Sequence, residues 1–334
     1  MKKLLMFFIA VAFSGISWGQ IVVSGSVGAD GTYASLTKNG GAFAAINAQT
    51  QTGAVITISI TGDVLNEDGA NSLNAGVWTS ITITPSGDRI ISGASSAGNP
   101  LINLNGADNV TINGLNDGSN SLTISNTLVS STSGTSTIRF IANATNNTIT
   151  NCTILGAANM ALATNGGTIF FSTATTTGND NNTISNCKIG PVGSNLPSKG
   201  IHANGTTTSA TTNNSGITIN NCEIYDFFLT GGSAGIYIST GNTEWNITNN
   251  KFYQTATRTY TASGTMYGIY YSNTTHGNNI QITGNTIGYS AANGTGTFTT
   301  TGSSIASNFA GIYLAASSTA ANTCNINNNT ISDF

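Results

Sequence analysis

The sequence predicts an all-β fold, a right-handed parallel β-helix solenoid with a short N-terminal capping helix. Three observations carry that expectation. A phrase of the form Thr-Ile-x-Asn-(Asn/Cys)-x-Ile recurs six times with variations, at 147–154, 182–189, 217–224, 245–252, 280–287 and 324–331. Its central isoleucines, Ile149, Ile184, Ile219, Ile247, Ile282 and Ile326, are 35, 35, 28, 35 and 44 residues apart. Each repeat is therefore one supersecondary unit that buries its apolar face by stacking on its neighbours. A second phrase precedes the first, at 138–140, 169–171, 200–203, 235–238, 268–271 and 311–314, and reads as another short strand. Finally, only 6% of residues are charged, against about 25% in an ordinary soluble domain. Asn, Thr, Ser and Gly fill the polar surface instead, and isoleucines at alternating positions exclude a disordered linker.

Taken in order, residues 1–19 read as a secretory signal: Lys2 and Lys3, an apolar stretch at 4–13, and a small-residue cleavage site at 17–19. The apolar run is too short to span a bilayer, and no later segment reaches that length, so a secreted, extracellular chain without a transmembrane segment is expected. Residues 20–50 read as an N-terminal cap. Helical apolar spacing at 33–37 and 42–47 would place a short helix over the open edge of the first coil. Residues 51–130 carry irregular short coils, with strands expected at 55–60, 80–84, 101–104, 110–114 and 122–126, mostly about 20 residues apart or less. Residues 131–334 carry regular coils of about 33–35 residues, with three strands each. The last phrase, 331–334, parallels 224–227 in mid-repeat, and no capping element follows it. A continuation into further C-terminal domains, or a partner that caps the edge, is the expectation there.

Ile149 and Ile154 are five residues apart and cannot both face inward on one straight strand, so a turn lies between them. The column assigned to that turn reads Cys152, Cys187, Cys222, Asn250, Asn285 and Asn329, a ladder in which thiol and amide alternate in one structural role. Neighbouring rungs, about 4.8 Å apart, are within disulfide reach. Three cysteines at equivalent positions would leave one over, however, and buried thiols are the favoured reading. Cys324 aligns instead with the inward Ile217, Trp245 and Ile280. No metal site is assigned, because neither His202 nor His276 falls in the cysteine column. The next column reads Thr153, Lys188, Glu223, Lys251, Thr286 and Thr330, where opposite charges on neighbouring rungs explain one another.

Removing the two signal lysines leaves seven basic against twelve acidic side chains and no basic cluster, which argues against nucleic acid as a partner. Asp180, Glu223, Asp226, Glu244 and Asp333 do not stack on one another, and no catalytic residue is assigned. The turns at 66–71 and 116–120 hold the acids for Ca2+, but Asp-Gly and Asn-Asp turns have conformational uses of their own, and no cofactor is assigned.

Over about residues 50–334 the repeats resemble the right-handed parallel β-helix repeats of the pectate-lyase-like superfamily. The runs at 33–37, 40–47 and 58–63 are further similar to large surface proteins of Gram-negative bacteria exported by the type IX system. The resemblance implies polysaccharide as ligand or substrate, held on the outer face of the coils, and attachment to the outer-membrane surface through a sorting domain that this sequence lacks. A lyase or glycoside hydrolase is the activity it brings, although the Asn-Thr-Asp, Asp-Asp and Gly-His-Gly signatures of β-helix polygalacturonases are missing.

The second phrase supplies the functional candidate. Its outward position reads Arg139, Phe170, His202, Tyr237, Tyr270 and Tyr313, a column of rings on which a sugar chain could stack. The competing reading is that the rings stack on each other or lie beneath the loops 204–214 and 289–308. Three functions follow as expectations: a non-catalytic adhesive or glycan-binding module anchored by Tyr237, Tyr270 and Tyr313, a polysaccharide-cleaving enzyme, or a structural stalk. Ice binding through threonine arrays is weighed as well, but no regular outward Thr-x-Thr face persists over the repeats.

Overall fold

The computed structural model describes residues 19–302, 306–317 and 322–334, so the signal segment lies outside it apart from Gly19. The chain winds through three long sheets, contributing one strand to each per coil, which makes it a parallel β-helix. The first sheet has eleven strands and runs from the N-terminal edge to Asn325–Asn327. The second has nine, from Val64–Glu67 to Thr330–Ser332, and the third eight, from Leu73–Asn74 to Ser307–Ala316. The central isoleucines stack in register along the first sheet, and Ile58, Ile83, Ile112, Ile149, Ile184, Ile219, Ile247 and Ile282 are essentially sealed from solvent. A side-chain period of two turns alternate residues into the tube, and burying each isoleucine contributes about 1.5–3 kcal/mol.

The bend between the first and second sheets is a single residue in the left-handed region. It is Asn151, Asn186, Asn221, Asn249 and Asn328, with φ between 52° and 58°, and Gly284 at φ 70°. Asparagine and glycine tolerate that conformation at low cost, which explains why only these two types stand there. The turn therefore sits one residue before the column that the sequence reading assigns to it. The assigned column opens the second-sheet strand at Cys152 and immediately precedes it in the later coils, and it points into the tube, with Cys152, Cys187, Cys222, Asn250 and Asn285 buried.

That column is held by one repeated hydrogen bond. Each asparagine side chain donates to the carbonyl of the central isoleucine of the preceding coil, and each thiol faces the equivalent carbonyl. The amides of Asn250, Asn285 and Asn329 donate to Ile219, Ile247 and Ile282 at 2.8–2.9 Å. The thiols of Cys152, Cys187 and Cys222 approach Ile112, Ile149 and Ile184 at 3.6–3.8 Å, and lie closer, at 3.1–3.4 Å, to the carbonyls of Thr150, Ser185 and Asn220 in their own coil. The amide oxygens in turn accept the backbone N–H of the rung before: Cys222 to Asn250, Asn250 to Asn285, Asn285 to Asn329, each 2.9 Å. A thiol must keep its proton to donate. The hydrogen bond to the Cys152 thiol, followed by burial, holds the Cys187 thiol well above its usual range, and Cys187 and burial do the same for Cys222. All four cysteines are free.

The glycines of the second phrase mark where the sheets touch inside. A Cβ on Gly235 would stand 2.5 Å from Phe252 Cδ1, and one on Gly268 2.6 Å from Ile287 Cγ2. Both contacts are too close for any other residue.

The N-terminal coils differ from the expectation in spacing. Ile58, Ile83, Ile112 and Ile149 are register partners, so the coils there are 25, 29 and 37 residues long. Strands Val64–Glu67, Leu73–Asn74 and Asp88–Gly93, which the pattern does not reveal, complete them. Pro100–Asn105 and Val110–Asn113 belong to different sheets of successive coils, so the distance between neighbouring strands there is not the coil length. With those coils in register, Thr57, Thr82, Thr111, Thr148, Thr183 and Thr218 form one unbroken outward column on the first sheet. Only Thr82/Thr84 and Thr148/Thr150 make Thr-x-Thr pairs on these rungs, so no regular Thr-x-Thr face persists, as expected; what persists is this single threonine column.

The cap is built from the antiparallel strands Ile21–Ser24 and Gly31–Tyr33 on the sheet edge, and the helix Ala42–Asn47, which buries Ala42, Phe43 and Ile46. Residues 34–37 are not helical. Leu36 and Thr37 donate their N–H groups to the buried Glu67 carboxylate at 2.6 and 2.9 Å, and the Ser35 and Thr37 hydroxyls donate to it as well. This satisfied carboxylate clamps the cap to the first coil.

Because thiol and amide fill one role, Cys187→Asn should shift the urea midpoint by less than the equivalent of about 1 kcal/mol, whereas Asn285→Leu should cost about 2–4 kcal/mol by orphaning the Asn250 N–H and the Ile247 carbonyl. Equal damage from the two would contradict the ladder.

Candidate functional site

Six neighbouring strands of the third sheet set Arg139, Phe170, His202, Tyr237, Tyr270 and Tyr313 in one register column. Its two halves differ. Phe170 and His202 are 2% and 1% exposed, so these two cannot meet a ligand, which corrects their place among the expected contacts. Arg139 is half-buried, with Nε donating to Asn103 Oδ1 at 3.0 Å, and burial lowers its pKa from the ordinary value. Tyr237 and Tyr270 are half-exposed and Tyr313 is 43% exposed, so the accessible part of the column is these three rings.

The covering segment is 157–166; of the two loops expected to do so, only Asn204, the first residue of 204–214, shares in these contacts. Lys199 Nζ donates to the carbonyls of Ala161, Leu162 and Thr164 at 3.1, 3.0 and 2.5 Å. The Gly166 N–H donates to His202 Nδ1 at 3.0 Å, and Asn204 Nδ2 to Asn165 Oδ1 at 2.8 Å. Lys199 itself is sealed from solvent, and burial pushes its pKa down to about 7, while the three carbonyls favour its ammonium form. Burial, with the Lys199 charge beside it, keeps the His202 imidazole well below its usual range and hence neutral.

The open rings form a stack. Tyr237 and Tyr270 lie 4.4 Å apart at 7° between planes, Tyr270 and Tyr313 4.8 Å apart at 5°. Tyr267, which the sequence reading misses because it stands outside the repeated position, packs its edge against Tyr270 at 5.0 Å and Tyr313 at 6.2 Å. Lys199 Nζ lies 5.8 Å from the Tyr237 centroid. The inner ring faces cover one another, so the stack presents edges, hydroxyls and the outer face of Tyr313. Burial, then the neighbouring Tyr270, raises the Tyr237 pKa, so that its hydroxyl stays a donor.

A second concavity runs along the corner between the first and second sheets. It has a volume of about 380 Å³ and is lined by the turn residues Asn151, Asn186 and Asn221 and by Thr153, Lys188, Glu223 and Lys251. The last four share the expected register column. Among the described residues, however, no ion pair joins Lys188, Glu223 and Lys251; Glu223 Oε2 accepts the Tyr253 hydroxyl at 3.1 Å instead.

The acids are engaged elsewhere. Asp226 pairs with Arg258 and accepts Thr255, and Asp180 accepts Ser215 and Gly178. In the two acidic turns, the Glu67 carboxylate belongs to the cap clamp, and Asp117 Oδ1 accepts the N–H groups of Ser119 and Asn120 at 2.9 and 2.8 Å, the ordinary work of such a turn. Among the described residues, no group of three His, Cys, Asp or Glu could hold a metal ion, and no helix is long and apolar enough to cross a membrane. Compared with known protein families, with curated proteins and with solved structures, the chain matches none.

Replacing Lys199 tests the covering segment. In Lys199→Met the loss of three carbonyl contacts should open 157–166 to limited proteolysis. The pH dependence has a definite sign. The folded pKa lies below the unfolded 10.5, so the cost of burying the cation is full below about pH 7 and fades as pH rises toward 10.5. Wild type should therefore gain stability relative to Lys199→Met across that window. A flat difference would mean that the carbonyls keep Lys199 charged throughout.

Proposed function

We infer that the chain is a non-catalytic, secreted binding module that holds a polysaccharide or cell-surface glycan against the third sheet, with Tyr237, Tyr270 and Tyr313 as anchors and Tyr267 beside them. One observation carries this reading: a stack of tyrosines stays half-exposed or exposed where Phe170 and His202 of the same column are buried. Tyrosine supplies apolar area and a polar tip at low conformational cost, which suits sugar hydroxyls and C–H groups together. The contact would run along ring edges and hydroxyls, since the inner faces are occupied. The occupied faces also favour a second reading, a stalk in which the stack serves only to couple rungs.

Binding of the chain to a panel of plant, algal and bacterial polysaccharides decides between them. The Tyr237→Ala/Tyr270→Ala double variant should fold and lose at least tenfold in affinity, about 1.4 kcal/mol. Unchanged affinity, or no binding by wild type across the panel, would leave the stack a structural device.

A further inference from the structure

The outward face of the first sheet is used by neither the tyrosine stack nor the corner groove. On this sheet alternate side chains of each strand turn outward, about 6.6 Å apart, and successive rungs follow at about 4.8 Å; the first two rungs add a third outward residue, Val55 and Ser80. One outward column holds the six consecutive threonines Thr57, Thr82, Thr111, Thr148, Thr183 and Thr218. The parallel column beside it holds Ser59, Thr84, Asn113, Thr150, Ser185 and Asn220. All twelve are half-exposed or exposed, none is charged and none is aromatic. Among the described residues, none of the six threonine hydroxyls of the first column has a hydrogen-bond partner within the chain.

We propose that this face binds ice. A β-branched side chain on a strand is stiff at χ1, so each threonine holds its hydroxyl and methyl at a fixed place, and the rungs repeat that place at a constant interval. The result is a neutral column of threonine hydroxyls and methyls, flanked by a mixed column of Ser, Thr and Asn, whose spacings are of the order of the oxygen repeats in an ice lattice. Free hydroxyls of the threonine column can take positions in such a lattice with their methyls between them, whereas in the column beside it Ser185 donates to Thr150 and the Asn113 and Asn220 side-chain oxygens accept Asn151 and Thr248. Charge complementarity points the same way. Lys, Asp or Glu would hold a hydration shell of its own that cannot merge with ordered water, and the face carries none of them over six rungs. A soluble polysaccharide is the poorer match, because the rings that would hold one stand on another sheet. The turn asparagines and the inward ladder fix the rung interval, so the array is set before any ligand arrives.

The test is thermal hysteresis and ice-crystal shaping by the chain from Gln20 onward, beside Thr148→Lys/Thr183→Lys and Thr148→Val/Thr183→Val, with circular dichroism to confirm folding. Wild type and the Tyr237→Ala/Tyr270→Ala variant should both shape ice, which keeps this result separate from the tyrosine reading. The lysine variant should fall to background, and the valine variant, which keeps the methyls, should fall short of wild type. Should the lysine double variant fail to fold, Thr111→Lys alone takes its place. Folded wild type that neither shapes ice nor shows hysteresis would overturn the proposal. So would binding to an insoluble neutral polysaccharide, without any effect on ice, that the same lysine variant abolishes; the face would then belong to that polymer.

Discussion

Everything in this molecule rests on keeping successive rungs in register. A slip of one residue would turn every isoleucine of a strand outward and every threonine inward. Three devices act against it at once. The central isoleucines fill the tube, a single left-handed asparagine or glycine fixes where each strand turns, and the residue after it ties its coil to the isoleucine carbonyl of the coil before. The third device is the specific one. Apolar stacking tolerates sliding, whereas a hydrogen bond from each ladder amide to one particular carbonyl does not. Cysteine can stand in for asparagine because the role demands one short donor in a buried place, and a protonated thiol meets it, weakly.

Register converts a one-dimensional sequence into columns, and the columns acquire different characters from what lies over them. On the third sheet one column is roofed where Lys199, His202 and Asn204 pin the segment 157–166, and open where the tyrosines begin. On the first sheet the outward threonine column stays half-exposed or exposed, its hydroxyls without a partner among the described residues. On the second, Glu223 turns to Tyr253 and leaves the lysines on either side of it unpaired in the corner groove. The same repeat thus presents an aromatic ridge, a hydroxyl lattice and a polar groove on three sides of one rod.

Much of the fold was legible in the sequence because the repeat phrase carries it directly. Ile149 and its successors gave the coil length, the five-residue step to Ile154 gave the bend, and the Cys/Asn alternation gave the ladder. The exact turn residue was missed, although Asn151, Asn186, Asn221, Asn249, Gly284 and Asn328 show only asparagine and glycine, the two types that left-handed backbone selects. The N-terminal coils were illegible for a different reason. Strands of two to six residues from different sheets follow one another without a repeated phrase, so spacing alone assigned neighbours to the wrong coils, and the threonine column stayed hidden. The burial of Phe170 and His202 could not be read either, since it depends on where an aperiodic loop folds back. Tyr267 lay outside the repeat position and joined the stack only through the third dimension.

The most direct test of the central claim measures register itself. Thr148 and Thr183 are outward partners on adjacent rungs, about 4.8 Å apart. Cysteines placed there in a Cys324→Ser background, with the three buried ladder thiols protected by the fold, can each carry a pyrene label. In-register stacking predicts strong excimer emission that vanishes on unfolding. A folded, doubly labelled protein that shows only monomer emission would contradict the register, and with it the ladder, the tyrosine stack and the threonine face together.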